Sequence, residues 1–147
     1  MIVVLLVLAL MGFLFVLVAG QGGPQPTAAP SDTQSLNTEA QLENLFQTKA
    51  SGVQIAGHGV VTSVLSDDND GDRHQRFILK LSSGQTLLIA HNIDIAPRLD
   101  GLAVGDQVAF FGEYTYNAQG GTIHWTHHDP QGSHVAGWLE WNGKRYN

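Results

Sequence analysis

The sequence predicts an all-β fold, a small five-stranded barrel that follows a short helix and, before it, a hydrophobic N-terminal helix. Three observations indicate this fold. After residue 53 the chain alternates apolar and polar residues in runs of strand length. Turn-forming residues, mainly Gly, Asp and Asn, separate these runs. The first run also contains Gly57 and Gly59, which allow a long strand to bend around the corner of a barrel.

The composition limits the size and the chemistry of the domain. Without its N-terminal features the chain leaves roughly 100 residues, which is enough for one small domain. The 13 acidic and 7 basic residues give a formal net charge of −6. This charge disfavours nucleic-acid binding, which rests on clustered Lys and Arg, although a locally basic face would overcome it. The absence of cysteine excludes disulfides, a thiolate nucleophile and a lipid-modified cysteine.

The hydrophobic N-terminal segment, residues 2–19, predicts export of the domain. As a helix it would be about 27 Å long, close to a hydrocarbon core of about 30 Å. Small residues before Gln21 favour a cleaved signal peptide, whereas the apolar length exceeds the usual signal core of about 7–15 residues and favours a membrane anchor. We assign residues 1–20 to this signal or anchor and expect a periplasmic or extracellular domain, held in the inner membrane if the segment is retained. Residues 21–35 are rich in Gly, Pro and Ala and predict a flexible linker.

The globular domain is predicted to span residues 36–147 and to begin with a helix. Thr38 and Gln41 match a capping box at the start of this helix. Leu42 and Leu45, with Phe46, form one narrow apolar stripe, so we expect the helix to lie on the surface of the barrel.

Five strands are predicted next, at residues 53–65, 73–81, 85–92, 107–116 and 122–128. Phe77, Leu79 and Leu81 fall on one face of the second strand. Residues 93–103 predict a short helix or a loop, and Asn142-Gly143 predicts a C-terminal hairpin. Five strands with a bent first one match an oligonucleotide/oligosaccharide-binding (OB) barrel. The alternative is another small closed or sandwiched β-fold.

Several motifs, in order, carry a resemblance to a known family. They are RHQRFILKL, SGQTLLIAHNIDIAPR, GEYTYN, GGTIHWTHHDP-x-G-x-H and GW-x3-NGKRY. Over residues 50–147 the chain resembles the bacterial family called domain of unknown function 3465 (DUF3465). This resemblance implies a small exported bacterial protein, and it carries over no catalytic residues.

The histidine-rich segment, residues 121–138, is the first place where chemistry is expected, since it holds four of the seven histidines. On a straight strand His124 and His128 would be about 13 Å apart. They therefore cannot share a zinc ion, whose ligands lie about 2.0–2.1 Å away. A transition metal, the one cofactor we consider, would instead use ligands at the bend, such as His128, Asp129 and His134. The alternative source of a ligand is a histidine from another strand, for which His74 and His91 are available. The alternative is that the histidines bind neighbouring residues and fix the C-terminal turn.

A second, dispersed set of polar residues predicts a ligand-binding surface. It consists of His74, Arg76, His91, Asn92, Arg98, Glu113 and His124. In an OB barrel the outer face of the second and third strands is the usual binding surface. Such a face, with Lys80, suits an anionic or sugar-like ligand bound by charge-assisted hydrogen bonds. The alternative is an ordinary solvated strand face.

The aromatic residues and the end of the third strand give three further expectations. His91-Asn92 is expected to be exposed at the barrel mouth, and Trp125 is expected to point inward. Trp138 and Trp141 either close one end of the core or stack on a base or sugar ring.

The predicted function is ligand binding in the cell envelope, with a small molecule, a glycan or a nucleic acid as the partner. One alternative is a hydrolase of phosphodiesters or glycans with His74, His91 or His124 as the acid or base. The other alternative is a metal-handling protein.

Overall fold

The computed structural model describes residues 32–147, with side chains from Gln34 onward. The predicted signal or anchor, residues 2–19, lies outside the described residues. One helix is followed by seven strands: α1 Asp32–Gln47, β1 Val53–Val64, β2 His74–Lys80, β3 Thr86–Asn92, β4 Gln107–Thr115, β5 Thr122–His124, β6 Trp138–Trp141 and β7 Lys144–Tyr146. Among these described residues no helix is long and apolar enough to cross a membrane.

The first five strands close into a barrel in the order β1-β2-β3-β5-β4, and β4 pairs with β1 to complete the ring. Strands β3 and β5 are parallel, and the other pairs of the barrel are antiparallel. This closed five-stranded arrangement confirms the predicted OB-like barrel.

The bend in β1 explains how one strand reaches two neighbours. Its first part pairs with β4, and from Val60 onward it pairs with β2. A side chain at Gly57 would place Cβ 2.7 Å from the ring of Phe110, and one at Gly59 would lie 2.9 Å from the carbonyl oxygen of Lys80. Both positions therefore require glycine, as the sequence predicted for a barrel corner.

The barrel interior is filled by alternate residues of the strands. Phe77, Leu79 and Leu81 of β2 are buried, which confirms their predicted common face. They meet Phe110 and Tyr114 of β4 in one continuous core. Tyr114 satisfies its hydroxyl group by donating to the carbonyl oxygen of Gly120, 3.2 Å away.

Helix α1 packs on the barrel through the predicted apolar stripe, with Leu42 and Leu45 buried. The predicted start of the helix is wrong. It begins at Asp32, within the segment assigned to the linker, so Thr38 lies inside the helix and does not cap it. The chain continues helical upstream of Thr38 because residues 32–37 contain no Gly or Pro that would stop it.

The sequence predicted one connection as either of two alternatives and the other as a single structure. Residues 93–106, between β3 and β4, form turns, which agrees with the loop alternative. The C-terminal hairpin β6–β7 is confirmed, because Asn142 and Gly143 have φ values of 51° and 73°, as a two-residue turn of type I′ requires.

Strand β5 is shorter than predicted, because Trp125 adopts φ 53° and turns the chain away from the sheet. Residues 125–137 then form a loop, called here the histidine loop, and β6 resumes pairing along β4. The loop ends lie together, since the Gly137 amide donates to the carbonyl oxygen of His127, 2.9 Å away. A compact loop with adjacent ends is an Ω-loop, a type that is frequently functional.

Candidate functional site

The barrel register brings some of the predicted ligand-binding residues onto one outer face. Arg76 pairs with Ala90 across β2 and β3, and His124 pairs with Glu113 across β5 and β4. In the parallel strands β3 and β5, Ile89 pairs with Ile123. The next residues along the two strands, Ala90 and His124, are therefore also neighbours. Arg76 and His124 are therefore about 10 Å apart on the same face, with only a methyl group between them.

Glu113 and His124 form a direct side-chain pair on this face. The Nε2 atom of His124 lies 3.3 Å from Glu113 Oε1 and 2.9 Å from Thr115 Oγ1. Because the carboxylate only accepts hydrogen bonds, Nε2 carries the proton and Nδ1 is unprotonated in the neutral ring. Burial lowers the pKa of His124 below its usual value, and the opposing effect of Glu113 does not restore it. The pair is therefore a neutral imidazole oriented by a carboxylate.

His91 and Asn92 are buried, so the expectation that they are exposed at the barrel mouth is wrong. The Nδ1 atom of His91 lies 2.9 Å from Thr126 Oγ1, and its Nε2 lies 3.1 Å from the carbonyl oxygen of Pro97. Asn92 accepts a hydrogen bond from the Asp94 amide through Oδ1. Burial lowers the pKa of His91 to about 4. His91 therefore links the core to the following turn and offers no surface to a ligand.

Three residues of the predicted set hydrogen-bond or form ion pairs with the acidic turn between β1 and β2, residues 66–72. Arg98 forms an ion pair with Asp67, and Arg76 donates to the carbonyl oxygen of Ser66 from Nε and Nη2. The Nδ1 atom of His74 donates to the carbonyl oxygen of Asp72, 2.8 Å away. These three side chains are already engaged at the turn, so the structure does not gather them around a common point with Glu113.

Trp125 lies at the centre of an aromatic cluster, and the expectation that it points inward is wrong, because 37% of its surface is exposed. Its indole stacks on His134 at 4.2 Å between ring centroids. His124 and His127 lie at 5.2 and 5.9 Å from the same ring. A bulky residue at positive φ is an outlier that costs of order 1–3 kcal/mol and often marks a functional site.

Asp129 holds the histidine loop in shape and is one of the three residues considered as metal ligands. It accepts hydrogen bonds from the His134 amide at 2.7 Å, the Gln131 amide at 2.9 Å and Ser133 Oγ at 3.1 Å. These hydrogen bonds lower the pKa of Asp129 to about 2, and the bond from the His134 amide has the largest effect. The Asp129 carboxylate is therefore already occupied by hydrogen bonds within the histidine loop.

The other two proposed metal ligands are not arranged around a common point. His134 Nε2 lies 4.0 Å from Asp129 Oδ2, while His128 is exposed and its carbonyl oxygen accepts from His127 Nδ1 at 2.8 Å. Within residues 34–147 no three His, Asp or Glu side chains converge closely enough to hold a metal ion. A transition metal in the histidine loop stays a prediction.

A cleft of about 290 Å³ lies between α1 and the outer faces of β1, β4, β6 and β7. We call it the helix cleft; it is lined by Leu42, Ala56, His58, Trp138, Glu140 and Arg145, among others. The Arg145 guanidinium lies 4.2 Å from the Trp138 ring centroid, and its Nε lies 3.3 Å from Glu140 Oε2. Sequence reasoning missed this site. Its one local signal was the alternation of Trp138 and Glu140 on the same strand face.

Fold and site together define a closed OB-like barrel with an added N-terminal helix, a histidine loop and a polar outer face. A family model described as protein of unknown function (DUF3465) matches residues 27–147. The chain therefore belongs to this family, as the sequence motifs indicated. A comparison with curated proteins found no match.

Proposed function

We propose that the protein is an exported ligand-binding module of the cell envelope and that a sugar-like ligand binds beside Trp125. Export rests on the hydrophobic segment at residues 2–19. The observation that carries the binding function is the exposed indole of Trp125, held at φ 53° and stacked on His134 next to the Glu113–His124 pair.

The chemistry of this surface favours a sugar ring over a nucleic acid. The fixed indole offers an apolar platform, and its order lowers the entropy lost when a ring stacks on it. Glu113 and the unprotonated nitrogen of His124 accept hydrogen bonds from hydroxyl groups. A net charge of −6 opposes a polyanion, because phosphate binding requires clustered cations.

The test uses the full chain in detergent micelles and a panel of neutral oligosaccharides. We expect a saturable change in tryptophan fluorescence and a rise in Tm with ligand concentration. Trp125→Gly should abolish both effects, because glycine tolerates the positive φ and removes only the indole. Trp141→Phe, far along the chain in β6, is the matched control and should keep binding. The proposal fails if no oligosaccharide binds, or if Trp125→Gly binds as tightly as the native protein.

The Glu113–His124 pair also supports a second candidate, a hydrolase of phosphodiesters or glycans. A histidine oriented by a carboxylate through one nitrogen leaves the other nitrogen available as a general base. Chromogenic phosphodiesters and glycosides separate the two functions. Turnover that is lost in His124→Gln and retained in His74→Gln supports the hydrolase, whereas binding without turnover supports the module.

A further inference from the structure

The floor of the helix cleft is a single row of side chains across four strands. His58 of β1 pairs with Ala109 of β4, Ala109 with Glu140 of β6, and Glu140 with Arg145 of β7. Residues paired across neighbouring strands point to the same face. Because Ala109 carries only a methyl group, a gap opens in the row between His58 and Glu140.

The roof of the cleft is α1, and its position is fixed by Glu39. The Glu39 carboxylate accepts hydrogen bonds from the amides of Ser82 and Ser83, at 3.0 and 2.7 Å, and from Ser82 Oγ. Burial alone would raise the pKa of Glu39, but these hydrogen bonds outweigh it and hold the pKa below its usual value. The helix is thus tied to the β2–β3 turn, and the cleft is formed before any ligand arrives.

One end of the cleft carries a matched pair of opposite charges. Arg145 is held against the face of Trp138, so its guanidinium is ordered before binding. Its partner Glu140 lies 3.3 Å away, with about a third of its side chain exposed. The accessible apolar surface of the lining lies on Ala56 and Trp138, because Leu42 and Leu81 are buried in the core.

This arrangement selects the charge of a ligand. The Arg145 side chain is half exposed and that of Glu140 about a third exposed, so a ligand with a single charge would pair with one of them and leave the other to solvent alone. A ligand that carries a carboxylate and an ammonium group on the same carbon replaces both partners at once. Its carboxylate accepts two hydrogen bonds from Arg145, and its ammonium donates to Glu140.

The size of the cleft limits the rest of the ligand. A volume of about 290 Å³ lies just below the range of about 300–1,000 Å³ typical of small-molecule pockets, so the ligand must be small. The accessible apolar surface of Ala56 and Trp138 favours an aliphatic or aromatic side chain on the ligand. We propose that the helix cleft binds a free α-amino acid with an apolar side chain, at a site separate from the Trp125 surface.

Calorimetric titration of the full chain in detergent micelles with L-leucine and L-phenylalanine tests the proposal. We expect saturable binding of both. N-acetyl-L-leucine, which lacks the ammonium group, and L-leucine methyl ester, which lacks the carboxylate, should each bind at least about tenfold more weakly, since each loses a hydrogen bond between charged groups.

Three variants locate the site. Arg145→Met and Ala109→Leu should both abolish leucine binding, the first by removing the guanidinium and the second by filling the gap in the floor. Arg73→Met is the matched control, because Arg73 is also an exposed arginine in an ion pair, with Asp94 at 2.7 Å, but lies just before β2 and away from the cleft. It should bind leucine as the native protein does.

The possible results separate this inference from the sugar-binding proposal. Trp125→Gly should leave leucine binding unchanged, because Trp125 does not line the cleft. Circular dichroism and Tm confirm that each variant is folded before it is titrated. The inference is overturned if the folded native protein does not bind leucine, if Arg145→Met and Ala109→Leu bind it normally, or if octanoate binds more tightly than leucine.

Discussion

The imidazole Nε2 of His91 lies 3.1 Å from the carbonyl oxygen of Pro97, in the interior of the protein. A carbonyl oxygen only accepts hydrogen bonds, so Nε2 carries the proton. The other nitrogen, Nδ1, then accepts from the Thr126 hydroxyl group at 2.9 Å. One neutral ring thus joins β3, the following turn and the start of the histidine loop.

This relationship predicts that acid destabilises the fold. Burial lowers the pKa of His91 from 6.5 to about 4, so between these values the unfolded chain binds a proton that the folded protein does not. The free energy of unfolding therefore falls as pH falls through this window, by about 3 kcal/mol in total from this residue. The pKa values of His124 and His127 are also lowered, chiefly by burial, and act in the same direction.

Urea denaturation at pH 7 and at pH 4.5 measures this effect. His91→Gln should be less stable than the native protein at pH 7 and should lose less stability on acidification. Parallel stability curves for the two proteins would contradict the assignment of the pH dependence to His91.

Glu39 is predicted to be the main polar anchor of α1. Glu39→Ala leaves the amides of Ser82 and Ser83 without their acceptor and should lower the free energy of unfolding by about 1.5–3 kcal/mol. Glu43→Ala is the matched control, because Glu43 lies one turn further along the same helix and is exposed. Its effect on urea denaturation should stay within about 0.5 kcal/mol. Equal losses in the two variants would show that Glu39 does not anchor the helix.

The fold was predictable where the signal is local. Phe77 and Leu79 alternate with polar residues, which fixes the buried face of β2. Gly57 and Gly59 mark the bend of β1, and Asn142-Gly143 specifies a two-residue hairpin. Each of these features depends on residues close in sequence, so no tertiary contact is needed to infer it.

The candidate site was less predictable because it depends on contacts between distant segments. His91 is polar, and only the turn that brings Pro97 back over it shows that it is buried. The sequence pattern predicts that Trp125 continues β5, but its backbone adopts φ 53°, which ends the strand. The helix cleft is lined both by residues of α1 and by Arg145 near the C-terminus. These segments are far apart in the sequence, so no local pattern predicts that they lie together.

The loop hydrogen bonds predict a local role for Asp129. Asp129→Ala removes the acceptor of the Gln131 and His134 amides, so these amides should exchange with solvent faster. Amides of the barrel core, such as that of Leu79, should keep their protection. Hydrogen exchange followed by NMR measures both groups. Faster exchange throughout the barrel would mean that the loop and the barrel unfold together.

Gly137 is predicted to be indispensable to the return of the histidine loop. A Cβ atom there would lie 2.0 Å from the carbonyl oxygen of Trp125 and 2.4 Å from that of Phe111, and neither backbone group can move without disturbing a strand end. Gly137→Ala should therefore cost at least about 3 kcal/mol of stability or prevent folding. Gly132→Ala, in the same loop, meets no atom within 4 Å and has only the strain of φ 68° to overcome. It should cost about 1–2 kcal/mol, which thermal and urea denaturation resolve from the larger loss. Similar stabilities for the two variants would show that the loop returns by a different path from the one that brings Gly137 against Trp125.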